Sequence, residues 1–162
     1  MTKQSKNNYY NILPFLLILT LCPNLKSAAQ QPVKIFILAG QSNMQGHGEM
    51  EKGEKGNLKW VIENDKKGDY QHLVDENGKW SERDDVFIHT WDKFDTVKSG
   101  KLSAGYGAFN TTIGPELGFG HVVGDHYKNK VLLIKTSWGG KSLAVDFRPP
   151  SAVGESGYKR IP

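Results

Sequence analysis

The sequence predicts an α/β protein: a three-layer α/β/α sandwich around a mainly parallel sheet, with the chain supplying its amino-terminal part. Val33–Ala39, apolar but for Lys34, and the wholly apolar Val131–Ile134 are runs with β-branched residues, the pattern of strands covered on both faces rather than of strands with one wet side. The first run ends at Gly40, which gives the chain a tight exit at little steric cost, and a turn into a helix follows. Residues 115–126 form a second helical stretch directly before the second run. Strand, helix and strand therefore alternate, as a parallel sheet requires.

Taken in order, Met1 to Ala29 reads as a secretory signal. Lys3 and Lys6 give a positive start, Ile12 to Leu21 a short apolar stretch, and Ser27-Ala28-Ala29 a small-residue cleavage site. The apolar stretch is too short to span a bilayer as a helix, so no stable membrane span is expected after cleavage. Leu21 stands where a lipoprotein signal would have a small residue before Cys22, which favours cleavage before Gln30. The expected product is a secreted or periplasmic domain over residues 30–162. Lys3, Lys6 and Lys26 leave with the signal, so 18 of the 21 Lys and Arg remain against 17 Asp and Glu. A net charge of +1 gives no basis for nucleic-acid binding. Cys22, the single cysteine, leaves as well, which excludes a disulfide, a thiol nucleophile and a thiolate metal ligand.

After the turn at residues 40–44, Gly48 to Asp85 is rich in Lys, Glu, Asp, Asn and Gly, with Trp60 and Trp80 set in it. This composition predicts a long loop or small hairpin excursion over the surface, without a buried helix. Its tryptophans suit a solvated face pinned at two points, with sugar stacking as the second use of an indole. Val86–Trp91 is the second strand. Pro115 suits the first turn of the following helix and Glu116 its amino-terminal dipole, while Gly118, Gly120 and Gly124 weaken its apolar face and suit close packing on the sheet. Val131–Ile134 is the third strand. In a strand order of 2-1-3-4-5 a chain ending after it leaves that strand as an unpaired edge, which predicts a truncated domain.

Gly40-Gln41-Ser42-Asn43-Met44 places Ser42 at the carboxyl end of a parallel strand, where open α/β sheets bind ligands. A serine hydroxyl needs a base and oxyanion donors to transfer an acyl group, and an amide at a helix start is one such donor. The plain alternative is that Ser42 only caps the helix. Two further stretches bear on the choice: Ile113-Gly114-Pro115-Glu116-Leu117-Gly118-Phe119-Gly120, and Lys135-Thr136-Ser137-Trp138-Gly139-Gly140-Lys141-Ser142-Leu143 running on to Asp146-Phe147-Arg148-Pro149-Pro150. Together with the serine pentapeptide, and in this order, they resemble the sequence blocks of the SGNH hydrolases, in the branch of sialate O-acetylesterases and carbohydrate esterase family six, over roughly residue 33 to the end.

The resemblance implies a serine esterase that removes O-acetyl groups from carbohydrates such as acetylated sialic acid or xylan. It implies Ser42 as nucleophile, Gln41, Asn43, Gly114 and Gly140 as candidate oxyanion or substrate-binding residues, and neither metal nor organic cofactor. Many SGNH enzymes carry an asparagine in the third block, and this chain has none there. Glu116 is a candidate for holding the serine loop or capping helix amides, because a buried acid needs hydrogen-bond partners. The family's Asp-x-x-His pair is expected beyond Pro162. The match Asp69-Tyr70-Gln71-His72 lies between the first and second blocks, out of order, and reads as chance.

Other motifs lead elsewhere. Gly140-Lys141-Ser142 lacks the earlier glycine of a phosphate-binding loop, its place being taken by Lys135. His121 and His126 are five apart, a spacing that does not grip zinc on a helix. His47 lies near the serine among glycines, and His72 and His89 have no motif around them. The competing class is a non-catalytic carbohydrate-binding protein or inactive fragment, with Trp91 and Trp138 stacking on sugar rings.

Overall fold

The computed structural model describes residues 31–91, 97–149 and 151, so the signal-like segment lies outside the described residues. The elements run β1 (Lys34–Gly40), α1 (Ser42–Gln45), β2 (Gly48–Glu49), α2 (Leu58–Glu63), β3 (Val86–Trp91), β4 (Val97–Lys101), β5 (Thr112–Ile113), α3 (Pro115–His126) and β6 (Val131–Ser137). The class is α/β. The main sheet has the order β1-β6-β3-β4, with β6 parallel to both neighbours and β4 antiparallel to β3. A two-stranded ribbon, β2 with β5, stands apart from it.

Helix α3 covers one face of this sheet. Val86, Ile88, Leu102, Val131 and Leu133 form the buried layer beneath it, with Leu38 at the β1 side. Gly120 makes the approach possible, since a Cβ there would stand 2.2 Å from Leu102 Cδ2, and a Cβ at Gly124 would stand 2.6 Å from Val86 Cγ2. Gly118 faces open space and has no such role. Phe36 continues the contact from β1, meeting Phe119 edge-on at 5.3 Å between ring centroids.

Two expectations are corrected. The strand at Val131 is not an edge: β6 lies between β1 and β3, in register from Lys34 opposite Val131 to Gly40 opposite Ser137. The edge is β1, and it is not covered on both faces, because Ile35 is 57% and Ile37 69% exposed. On that side the described residues supply no second helical layer, so two of the three expected layers are seen among them.

The excursion over Gly48–Asp85 is not only surface loop. Helix α2 buries Ile62, which joins Leu73 and Leu117 in a second apolar cluster with Trp80 packed against it. Its start is fixed by buried Asn57, whose side chain accepts the Trp60 N–H at 2.8 Å and donates to the Gly53 carbonyl at 2.8 Å. The expected hairpin is present in small form, as a bridge between Val74 and Trp80 around a turn capped by Asp75.

Candidate active site

β1 and β6 are parallel neighbours, so their carboxyl ends emerge side by side, and each leads into one of the glycine-rich stretches. The Trp138 N–H donates to the Gly40 carbonyl at 3.0 Å, which ties the two exits together just past the sheet. Gln41 bridges them again through its side-chain amide, which donates to the Lys141 carbonyl. Ser42 follows as the first residue of α1, half-buried, with no hydrogen bond to its Oγ among the described residues. The N-cap position belongs to Gln41 instead, without a side-chain cap bond, so the capping role considered for Ser42 is not the one it has. Helix α1 is a single turn of four residues, too short to bring a useful macrodipole to the serine.

Gly139 is the residue of the third stretch that comes up against the serine turn. A Cβ on it would lie 2.6 Å from Gln45 Oε1 and 3.8 Å from Ser42 Cα. Gly140, the sequence candidate, follows in a left-handed conformation at φ 72° with open space around it. The amides of Ser42, Gly139 and Gly140 have no backbone partner among the described residues. Asn43 is exposed on α1.

The second stretch reaches the same turn from the other side. Gly46, at φ 84°, touches Gly114 so closely that a Cβ on Gly46 would stand 2.2 Å from Gly114 Cα. Gly114 does not offer its amide to a substrate oxygen: it donates to Glu116 Oε1 at 2.8 Å. Its place in the site is this contact of two backbones, which no side chain would permit.

Beneath the turn lies a group that sequence reasoning gave no role. Lys135 is a lone charge in the middle of β6 and is 2% exposed, while Glu116 is fully buried. The Lys135 ammonium has three protons and three acceptors: Glu116 Oε2 at 2.6 Å, the Tyr106 carbonyl at 2.7 Å and the Gln45 carbonyl at 2.8 Å. Burial pushes the Lys135 ammonium below its ordinary range, and the Glu116 carboxylate opposes that shift. Glu116 is thus linked to the serine turn through Lys135, which binds the last residue of α1. The signal available in the sequence was a charge inside an apolar strand, which has to find a partner.

Lys141 and Asp146 close the third stretch, at 3.2 Å from each other, and the Lys141 ammonium lies 4.2 Å over the ring of Trp138. The Ser142 N–H also binds Asp146, at 2.9 Å, which folds the loop back on itself. None of the five histidines hydrogen-bonds Ser42 among the described residues. His47 meets Phe109, His72 faces His121, His89 binds the Ser99 hydroxyl and His126 meets Tyr127. Among the described residues no group of three or more His, Cys, Asp or Glu is placed to hold a metal ion, and no helix is long and apolar enough to cross a membrane.

Neither a curated protein nor a solved structure gives a match to the chain. A family model does: that described as carbohydrate esterase, sialic acid-specific acetylesterase, over residues 32–161. That span contains both apolar strands, the helix between them and all three stretches that meet at Ser42. The chain belongs to this carbohydrate esterase family.

Proposed function

We propose that the protein removes O-acetyl groups from carbohydrates, acetylated sialic acid or xylan among them, through an acetyl-enzyme on Ser42. The Ser42 Oγ attacks the acetyl carbonyl as a general base takes its proton. Amides of Ser42 and of the Gly139-Gly140 loop receive the negative charge that forms on the carbonyl oxygen. The carbohydrate leaves as an alcohol with the returned proton, and water then attacks the acetyl-enzyme to release acetate and restore the serine. The general base in this reading is the histidine of the family's Asp-x-x-His pair, oriented by its aspartate. Gln41 and Glu116 act as positioning residues, the first between the two loops and the second through Lys135.

The observation that carries the proposal is the junction of Ser42 with Gly139. The hydroxyl is unspent on capping, and the loop beside it presents backbone instead of side chain.

Hydrolysis of p-nitrophenyl acetate and of acetylated xylan tests it, in the 162-residue chain and in a form that carries an Asp-x-x-His segment of the family. Activity that falls at least about a thousandfold in Ser42→Ala, with unchanged circular dichroism, is the expected result. Activity that survives the substitution removes Ser42 from the mechanism. Binding of the glycan without acetate release in every form supports the non-catalytic reading, for which the half-exposed Trp138 at the site offers a stacking face.

A further inference from the structure

The ribbon β2/β5 leads away from the serine turn to a cleft of about 380 Å³ lined by Glu49, Met50, Glu51, Trp80, Asn110 and Thr111. Its register fixes the distance. Gly46 touches Gly114, Gly48 pairs with Ile113, Glu49 pairs with Thr112, and the Met50 N–H donates to the Thr111 carbonyl at 3.0 Å. Three residues at the rise of a strand carry the chain about 10 Å from the serine turn to the cleft. That is about the length of two sugar rings.

An aromatic pair lies along this path. Phe109 is 54% exposed, and its ring meets that of His47 edge-on at 6.2 Å, next in sequence to the cleft residue Asn110 and two residues before the cleft residue Glu49. Neither ring contributes to the buried clusters. The cleft itself joins the apolar surfaces of Trp80 and Met50 to the hydrogen-bonding groups of Glu49, Glu51, Asn110 and Thr111. Apolar faces of pyranose rings rest on such aromatic surfaces while their hydroxyls donate to carboxylates and amides at the rim. Two carboxylates there against the single ammonium of Lys52 repel an anionic sugar.

We propose that this surface, from Phe109 to Trp80, is a glycan subsite that holds uncharged sugar rings next to the acetylated one, so that the substrate is a neutral oligosaccharide or polysaccharide. The inference rests on the esterase reading for its substrate class, but binding at the subsite is independent of catalysis.

Calorimetric titration of the full chain with unacetylated xylose, xylotriose, cellotriose and sialyllactose tests the subsite without any ester bond. At least one neutral trisaccharide is expected to bind about tenfold or more tighter than xylose. Phe109→Ala and Trp80→Phe are each expected to remove most of that gain. Phe109 is exposed, so its variant reports on binding without disturbing the core, while the circular dichroism of the Trp80 variant checks its fold. Equal affinity for xylose and all trisaccharides, no binding of any sugar, a gain unchanged in Phe109→Ala, or a preference for sialyllactose each overturns the proposal. Tight trisaccharide binding in a protein that hydrolyses no acetate ester in any form, one carrying the Asp-x-x-His pair included, leaves the subsite standing and sinks the esterase reading. Ester hydrolysis without a length-dependent affinity does the reverse.

Discussion

Lys135 sits in a strand whose preceding inward residues, Val131 and Leu133, are fully buried hydrocarbons. An ammonium in that position is tolerated because all three of its protons are bound, one of them by a carboxylate that is itself held by a backbone amide. Removal of one partner leaves the other charge buried and uncompensated. Lys135→Met and Glu116→Gln are each expected to cost about 3–5 kcal/mol in urea unfolding, with the double variant costing clearly less than their total. Additive costs would show that the two side chains do not act as a pair. Ser42 stood out in the sequence only because two further glycine-bearing stretches follow it in order; alone, a serine before a helix reads as a cap. The pair did not stand out, since Glu116 and Lys135 are 19 positions apart and only the strand order brings them together.

At the scale of elements, the glycines of α3 look alike in the sequence and differ in the fold. Gly118 faces open space, so Gly118→Ala is expected to raise stability by about 0.5–1 kcal/mol through helix propensity. Gly120→Ala forces a methyl group into Leu102 and Leu133, both fully buried, and is expected to lower stability by about 1–3 kcal/mol. Thermal unfolding of the two variants separates the effects by sign. The type and limits of β3 and α3 were readable from apolar pattern and from proline at the first turn. The order of strands was not, because an apolar run marks burial without saying which neighbour provides it. So β6 was read as an edge and lies in the middle, while β1 was read as covered and lies at the edge. Strand β4, Val97–Lys101, went unpredicted: Val-Lys-Ser-Gly-Lys pairs with β3 through its backbone and carries little apolar signal.

For the whole molecule, one face of the sheet rests on α3 and the other presents Ile35, Ile37 and Trp91 to solvent. The α/β class followed from the sequence, and the layer expected over this second face is not seen among the described residues. On the other side of the molecule, the excursion is joined to the helix through His72 and His121, whose rings meet edge-on at 4.6 Å. Arg83 adjoins them, bound to Asp85 at 2.8 Å and to Asp125 at 2.6 Å. Burial, then the neighbouring His72 and Arg83, push His121 below its ordinary pKa of 6.5, against the opposing pull of Asp125 and Asp85. The folded protein therefore takes up this proton less readily than the unfolded chain. Its contribution to stability is full above pH 6.5 and is lost as the pH falls from there through the lower folded value. A melting temperature that drops between pH 7.5 and 5, by less in His121→Gln, is the expected result; identical profiles would remove His121 as the cause.

The ammonium of Lys135 also sets how the site moves. The last residue of the serine turn, the Tyr106 loop and the first turn of α3 all bond to this one ammonium, so each gives up a hydrogen bond to β6 when it swings out. Loss of the ammonium is therefore expected to speed amide hydrogen exchange in all three segments at once, rather than in the serine turn alone.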